Sequence, residues 1–354
     1  MVNIDKSKPV LVTGGTGYIA SWIVKYLLDE GHTVHTTVRN KGNKEKYVHL
    51  LESEKKSSGT LKVFEADLLE RGSFEPAMEG CNVVIHTASP FFLNNISDPE
   101  KELIDPALEG TRNVLNSVNS TVDVKRVVLT SSIAAICGDN EDIKVTPKGI
   151  FTEEIWNCTS SAKHQPYSYS KTLSEEEAWK FSKAQNRWDL VTINPGFVLG
   201  PSLTPRSDST SIRFMIDMGI GTFKDGVPLL YNAIADVRDI ARAHIAASFK
   251  KGAIGRNIVV GATASLMRIS KVLRKRFGDK YPFPKRKVPK FIFWFMGPKF
   301  GVPRDFIKRN VGVFIKFDNS FSIKNLGIKY TPLKQTIIDH FHQLISDGLV
   351  VAKK

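Results

Sequence analysis

The chain has 354 residues, 42% hydrophobic and 24% charged, enough for a sizeable core and close to ordinary globular composition. Its net charge of +14 invites a nucleic-acid partner, but residues 271–290 alone hold nine Lys or Arg against one acid, Asp279. No helix-turn-helix, RNA-binding or zinc-finger pattern accompanies them, and no apolar run approaches the roughly 18 residues of a bilayer span.

In chain order, apolar β-branched runs alternate with longer helical patterns. Strands are expected at residues 10–13, 33–38, 61–65, 82–87, 126–130 and 190–194, and helices at 18–29, 99–118 and 167–184. Continuous apolar strands separated by helices imply a parallel sheet covered on both faces. Right-handed crossovers then give a doubly wound α/β (Rossmann) fold. After Pro195 the pattern loosens into a proline- and serine-rich loop. A helix at 235–249, a strand at 256–260 and then helices with proline turns follow.

The first strand runs into Thr13-Gly14-Gly15-Thr16-Gly17-Tyr18-Ile19-Ala20, just before a helix. Gly14 and Gly15 permit a tight turn, Gly17 admits a pyrophosphate to the backbone, and Ala20 lets the helix pack on the strand. The helix N-terminus then offers free N–H groups to phosphates. A bare glycine pattern is weak, but its place at the first strand–helix junction predicts dinucleotide binding. The second strand ends Thr37-Val38-Arg39-Asn40, with no acid for a ribose 2′-hydroxyl. Arg39 suits a 2′-phosphate instead, and Lys41, Lys44 and Lys46 add positive charge, so NADP(H) is favoured over NAD. Asp67, after the third strand, is a candidate acceptor for the adenine amino group or a cap for the following helix.

Tyr167 and Lys171, four residues apart on an expected helix, share a face. A neighbouring ammonium is expected to lower the phenol pKa and fit Tyr167 for proton exchange with a substrate oxygen. Such a pair is common by chance. Here it follows a strand ending Leu129-Thr130-Ser131-Ser132, whose carboxyl end faces the ligand crevice. One of Ser131 and Ser132 is expected to orient the substrate oxygen, and spacing alone does not choose.

With these residues in place, the chain resembles the extended short-chain dehydrogenases/reductases. Within them it is similar to the branch of dihydroflavonol reductases, cinnamoyl-CoA reductases and yeast-type aldehyde/ketone reductases. The likeness spans nearly the whole chain. It includes the glycine turn, Val38-Arg39, Ala66-Asp67-Leu68, His86-Thr87-Ala88-Ser89-Pro90-Phe91, Glu109-Gly110-Thr111, Thr130-Ser131-Ser132, Tyr167 to Lys171, Asn194-Pro195 and Asp236-Val237-Arg238-Asp239. The resemblance implies NADPH-dependent reduction of a carbonyl, or the reverse, by Ser132, Tyr167 and Lys171. It places Arg39 and Lys46 at the 2′-phosphate. It brings Gly14, Thr16, Gly17, Tyr18, Ile19, Asp67, Leu68, Thr87, Ala88, Ser89, Thr130, Pro195, Gly196 and Val198 to the cofactor, along with Tyr167 and Lys171. Cys137 stands where dihydroflavonol reductases carry asparagine, and Gln165-Pro166 where the cinnamoyl-CoA reductase signature has Asn-Trp. The segment 127–135 is most similar to the yeast-type enzymes.

On this reading residues 1–195 form the NADP-binding domain, with 233–261 returning to it. Residues 196–232 and 262–354 form mainly a smaller, interleaved substrate lobe. The aromatic run 291–296 is expected to be core or pocket wall, with a membrane-contacting edge as its rival, and Phe91, Phe92 and Phe223 are pocket candidates. His86, inside an apolar strand, reads as a hydrogen-bonded core residue, and Asp239 as a cap or brace of the helix that follows. Cys81, Cys137 and Cys158 form neither a zinc pattern nor a disulfide framework, and no metal is expected. The stretch 1–9 is too short and polar for a signal peptide, so a cytoplasmic setting without stable membrane insertion is expected. The partner is a small carbonyl or alcohol substrate, with no nucleic acid, and the state is monomer or homodimer. Competing readings are an acyl-CoA reductase, a 3β-hydroxysteroid dehydrogenase-like enzyme, a nucleotide-sugar epimerase-like enzyme and a non-catalytic cofactor sensor.

Overall fold

A computed structural model describes residues 3–89 and 97–352. Phe91 and Phe92 lie outside the described residues. The strands are β1 (Val10–Thr13), β2 (Thr33–Val38), β3 (Thr60–Glu65), β4 (Val83–His86), β5 (Arg126–Thr130), β6 (Asp189–Pro195), β7 (Phe197–Leu199), β8 (Val227–Pro228), β9 (Tyr231–Asp236), β10 (Gly255–Val259), β11 (Ala262–Ser265) and β12 (Lys287–Val288). The helices are α1 (Tyr18–Asp29), α2 (Val48–Lys55), α3 (Glu75–Met78), α4 (Asp105–Ser120), α5 (Pro166–Lys183) and α6 (Thr210–Ile220). They continue with α7 (Val237–Phe249), α8 (Leu266–Phe277), α9 (Lys290–Met296), α10 (Arg304–Asn310), α11 (Ser320–Leu326) and α12 (Leu333–Ser346).

Seven strands form one parallel sheet in the order β10-β6-β5-β4-β1-β2-β3. The alternation of side chains along a strand sends Val10 and Val12 into the core under α1 and α7, and Leu11 into the core under α4 and α5. Both faces are therefore apolar, which is why these strands read as unbroken hydrophobic runs. Strand order reverses between β1 and β4, so the crevice expected to take a ligand opens at their carboxyl ends.

The second half departs from expectation in one respect. The helix expected from 235 begins at Val237, because Ala235 and Asp236 complete β9. That strand belongs to a separate three-stranded sheet, β11-β9-β7, which the sequence reading did not contain. The chain passes from the large sheet to the small one at Gly196, where an added Cβ would lie 2.3 Å from the Ala233 carbonyl oxygen. It returns through α7 to β10 and leaves again at β11. Strands this short and polar carry little periodic signal, and their pairing is decided by the sheet beside them.

Three enclosed histidines tie these layers together. His86 meets the Thr13 hydroxyl at 3.0 Å, His244 meets that of Thr130 at 2.7 Å, and His340 accepts from the Gly200 amide at 3.1 Å. Burial pulls their pKa values down from 6.5 to about 3, about 4 and about 3 respectively. As pH falls below 6.5 the unfolded chain takes up protons that the folded chain refuses, so folding stability falls with pH, to about pH 4 for His244 and about pH 3 for His86 and His340. The loss is up to about 1.4 kcal/mol per histidine per pH unit. Urea midpoints at pH 7 and pH 5 check this: a clear drop at pH 5 is expected, and equal midpoints would contradict it.

Candidate active site

The phosphate turn is built as its sequence requires. Gly14 adopts φ +65°, and its Cα faces Ala88, where an added Cβ would meet the alanine Cβ at 3.1 Å. A Cβ on Gly15 would fall 2.0 Å from the Thr36 hydroxyl, and one on Gly17 would crowd the Gly14 carbonyl. Helix α1 starts at Tyr18 with no side chain capping it, so its first N–H groups face the crevice without a side-chain acceptor. This glycine cradle fits a pyrophosphate. Tyr18 and Thr16 are committed elsewhere through other atoms: the Tyr18 hydroxyl donates to the Gly200 carbonyl, and the Thr16 carbonyl accepts from Arg206 at 3.1 Å. Ile19 packs between the two cores that meet at α1.

The segment after β4 closes the other wall. The Thr13 hydroxyl accepts from the amides of Thr87 and Ala88, each at 3.1 Å, while the Thr87 hydroxyl donates to the Thr13 carbonyl. Arg39 and Lys46 are both exposed, the first beyond the end of β2 and the second in a short 3₁₀ turn. Asp67 caps no regular helix. Its carboxylate accepts from the Leu69 amide at 2.8 Å, closing a turn that Leu68 seats against Gly110. Asp239 is a brace, accepting from the Thr331 amide and hydroxyl, and Asp236 is the cap of α7.

The chemistry-bearing residues converge at the carboxyl end of β5. The Tyr167 and Ser132 side chains meet there, Ser132 drawing the phenol's pKa down, and the Ser132 oxygen accepts from the Ala134 amide at 3.1 Å. Ser131 points the other way, into the protein, and donates to Glu175. One helical turn beyond Tyr167, the Lys171 ammonium lies 5.9 Å from its ring centre and donates to the Ser89 hydroxyl at 3.1 Å. A small cavity lined by Ala88, Ser89, Thr130, Ser131, Lys171 and Glu175 lies beneath. Helix α5 starts sharply. Pro166 occupies its first turn, and Gln165 before it sits at φ +56°, rarely adopted by a residue with a Cβ. Gln165 is held there by its amide's bond to Asp139 at 3.1 Å.

The expected lowering of the Tyr167 pKa is not what this arrangement produces. Burial of the phenol pushes it up to about 12, against which the Ser132 hydrogen bond pulls only partly. Burial likewise brings Lys171 down to about 8, opposed by the charge of Glu175. The Lys171 ammonium, 5.9 Å from the ring centre, does not outweigh desolvation of the phenol. Cys137 is half-buried, and burial of its thiol pushes the pKa well above the ordinary range, which disfavours the thiolate a nucleophile needs.

Two residues near the site went unnoticed in the sequence. Glu175 is one more turn along the face that carries Tyr167 and Lys171, which was the signal available. Its two oxygens take hydrogen bonds from Ser131, Thr192, Asn194 (2.7 Å), Trp179 and Arg256 (2.7 Å). Arg206 belongs to the loop that covers the phosphate turn and pairs with Asp208 at 2.7 Å. Nothing local marked it. Phe223 lies tilted against Phe214, which meets Phe197 edge-on, and all three pack partly buried against the neighbouring core beside Gly196.

A doubly wound sheet with a glycine cradle at its switch point defines a dinucleotide-binding protein of the Rossmann class. Residues 10–261 match the model of the NAD dependent epimerase/dehydratase family, and the chain belongs to that family, which comprises the extended short-chain dehydrogenases/reductases. Cinnamoyl-CoA reductase CAD2 of Medicago truncatula is 38% identical over 333 residues, 93% of each chain. Tetraketide alpha-pyrone reductase 1 of Arabidopsis thaliana is 37% identical over 98% of each. Among solved structures, Gre2 from Candida albicans in complex with NADPH superposes with a TM-score of 0.76 at 29% identity, covering 96% of this chain and 99% of that one.

Replacing Arg256 by Met strands the buried Glu175 carboxylate and is expected to cost about 3–5 kcal/mol. Urea unfolding of Arg256→Met measures it. A loss below about 1 kcal/mol, the size of an exposed pair, would show that the carboxylate does not depend on this partner.

Proposed function

We propose that the protein reduces an apolar or aromatic aldehyde or ketone to the alcohol, or runs the reverse reaction, with Ser132, Tyr167 and Lys171 as its working residues and NADPH as its cofactor. The observation that carries this is the meeting of the Ser132 and Tyr167 side chains one helical turn from Lys171, which donates to Ser89 in the segment packed against Gly14. That the chain is an NADP(H)-dependent oxidoreductase is supported by the reductase names of its relatives and the NADPH complex of its fold neighbour. NADPH, when bound, supplies the hydride that reaches the carbonyl carbon.

The chain's own residues handle the oxygen and the proton. A carbonyl oxygen placed beside the Ser132 and Tyr167 hydroxyls would accept two hydrogen bonds that strengthen as negative charge develops on it. The Tyr167 proton then moves to the new alkoxide. A phenol held at about 12 by burial is fully protonated near neutral pH, the state a donor needs, and an alkoxide is the stronger base. Lys171, held by Ser89, offsets the charge left on Tyr167. The exposed Arg39 and Lys46 take the 2′-phosphate, and Arg206 adds charge at the phosphate turn. The cluster of Phe197, Phe214 and Phe223 favours an apolar substrate. An acyl-CoA thioester is the second reading, favoured by the 38% identical relative.

Tyr167→Phe is expected to lower kcat by at least about a hundredfold, the size of a general-acid contribution, while the affinity for NADPH stays within about twofold. Near-normal turnover would remove Tyr167 from the mechanism. Arg39→Ala should weaken NADPH binding by about tenfold or more and leave NADH binding unchanged, since one charge-assisted phosphate pair is worth about 1.5–3 kcal/mol. Fluorescence titration with both cofactors reads this, and an equal loss for the two would contradict the assignment.

A further inference from the structure

The aromatic run at 291–296 is not core, and it does not line the cavity beneath Tyr167 and Lys171. Not one residue of α9 is buried. Phe291 and Phe295 are 67% and 64% exposed, Ile292, Trp294 and Met296 are exposed beside them, and Phe300 just beyond is 69% exposed. Phe291, Trp294 and Phe295 stand at i, i+3 and i+4, so they share one face of the helix. Water is a costly neighbour for that much contiguous apolar surface, which marks a site of association.

The patch is built to face outward. Gly297 lets α10 close against α9, since a Cβ there would lie 2.5 Å from the Ile307 methyl. The Lys290 ammonium donates to the Lys308 carbonyl at 2.8 Å, and the Arg304 guanidinium lies 4.4 Å from the Trp294 ring centre. The pair is tied in turn to the helix of the active site. Asn310, which ends α10, donates to Asp139 at 2.6 Å, and Asp139 also holds Gln165, two residues before Tyr167.

Charge decides between the possible occupants. Residues 285–309 carry eight Lys or Arg and a single acid, Asp305. A second copy of this chain seated patch to patch would set two strongly basic surfaces against each other. An anionic bilayer presents the opposite sign, and its interface accepts Trp and Phe at headgroup depth with Lys and Arg beside the phosphates. We propose that the α9–α10 hairpin docks the protein peripherally on an anionic lipid surface, with Phe291, Trp294, Phe295 and Phe300 entering the interface and the surrounding Lys and Arg contacting headgroups. This is surface attachment, since no helix among the described residues is long and apolar enough to cross a membrane. It does not depend on the reaction assigned above.

The test is flotation of the purified full chain with vesicles of phosphatidylcholine alone and of phosphatidylcholine mixed with phosphatidylglycerol. Binding to the mixed vesicles should be at least about tenfold stronger and should weaken with salt. The double variant Phe291→Ser/Phe295→Ser should lose at least about tenfold of that binding. The double variant Lys287→Glu/Lys290→Glu should lose at least a similar factor. All four positions are exposed, and unchanged urea midpoints would show the fold intact. Failure of the parent protein to float with anionic vesicles would overturn the proposal, as would equal flotation of the phenylalanine variant. A dimer in sedimentation equilibrium that the phenylalanine substitutions dissociate, without vesicle binding, would assign the patch to a second copy instead.

Discussion

The site depends on one buried charge. Glu175 is fully enclosed, and a carboxylate in that position is tolerable only if every lone pair finds a donor. It finds them just past the end of β5 (Ser131), on β6 (Thr192, Asn194) and on β10 (Arg256). Arg256 is itself saturated by the carbonyls of Ala135, Glu153 and Ile155 and stacks 3.8 Å from the Trp156 ring centre. Helix α5 is thereby fixed in rotation and height against three strands. Since Tyr167 and Lys171 stand on the same face of that helix, fixing Glu175 fixes them. Turning Ser131 inward to Glu175 leaves the next residue, Ser132, at Tyr167. Such a pair contributes little net stability, because desolvation offsets its attraction, but it leaves the helix a single arrangement.

The same logic of commitment shapes the cofactor side. The side chains around the glycine turn are mostly spent on one another: Thr13 with Thr87, Tyr18 with Gly200, Arg206 with Thr16. What is left around the turn is backbone N–H at α1, with the exposed charges of Arg39 and Lys46 beyond β2. The interleaved sheets extend this arrangement. Because the chain crosses at Gly196 from the large sheet to the small one, the segment Pro195–Val198 is held from both sides, Pro195 paired with Val259 and Val198 with Ala235.

Much of this was readable in advance, and for identifiable reasons. Val10–Thr13, Tyr18–Asp29, Thr33–Val38 and Arg126–Thr130 came out at the expected bounds, because a parallel strand buried on both faces and an amphipathic helix each leave a strong periodic trace. The glycine turn was readable because its positive φ and close approaches admit no larger residue. The β7–β9–β11 sheet was not, being short strands whose identity rests on neighbours distant in sequence. The aromatic run 291–296 misled for a related reason: hydrophobicity predicts that a segment seeks cover, and says nothing of whether the cover comes from the same chain.

Sequence by itself determined the class of fold, the place of the phosphate turn, the preference for a 2′-phosphate and the candidate trio Ser132, Tyr167 and Lys171, since each rests on local spacing or on a residue type no other can replace. Tertiary structure decided which serine faces the tyrosine, that Glu175 and Arg206 belong to the site, and that α9 lies open. It also decided the protonation of Tyr167. An i,i+4 ammonium argues for a lowered pKa, yet burial raises it to about 12. Burial is a sum over everything that packs around an atom, and that sum exists only once the chain has folded.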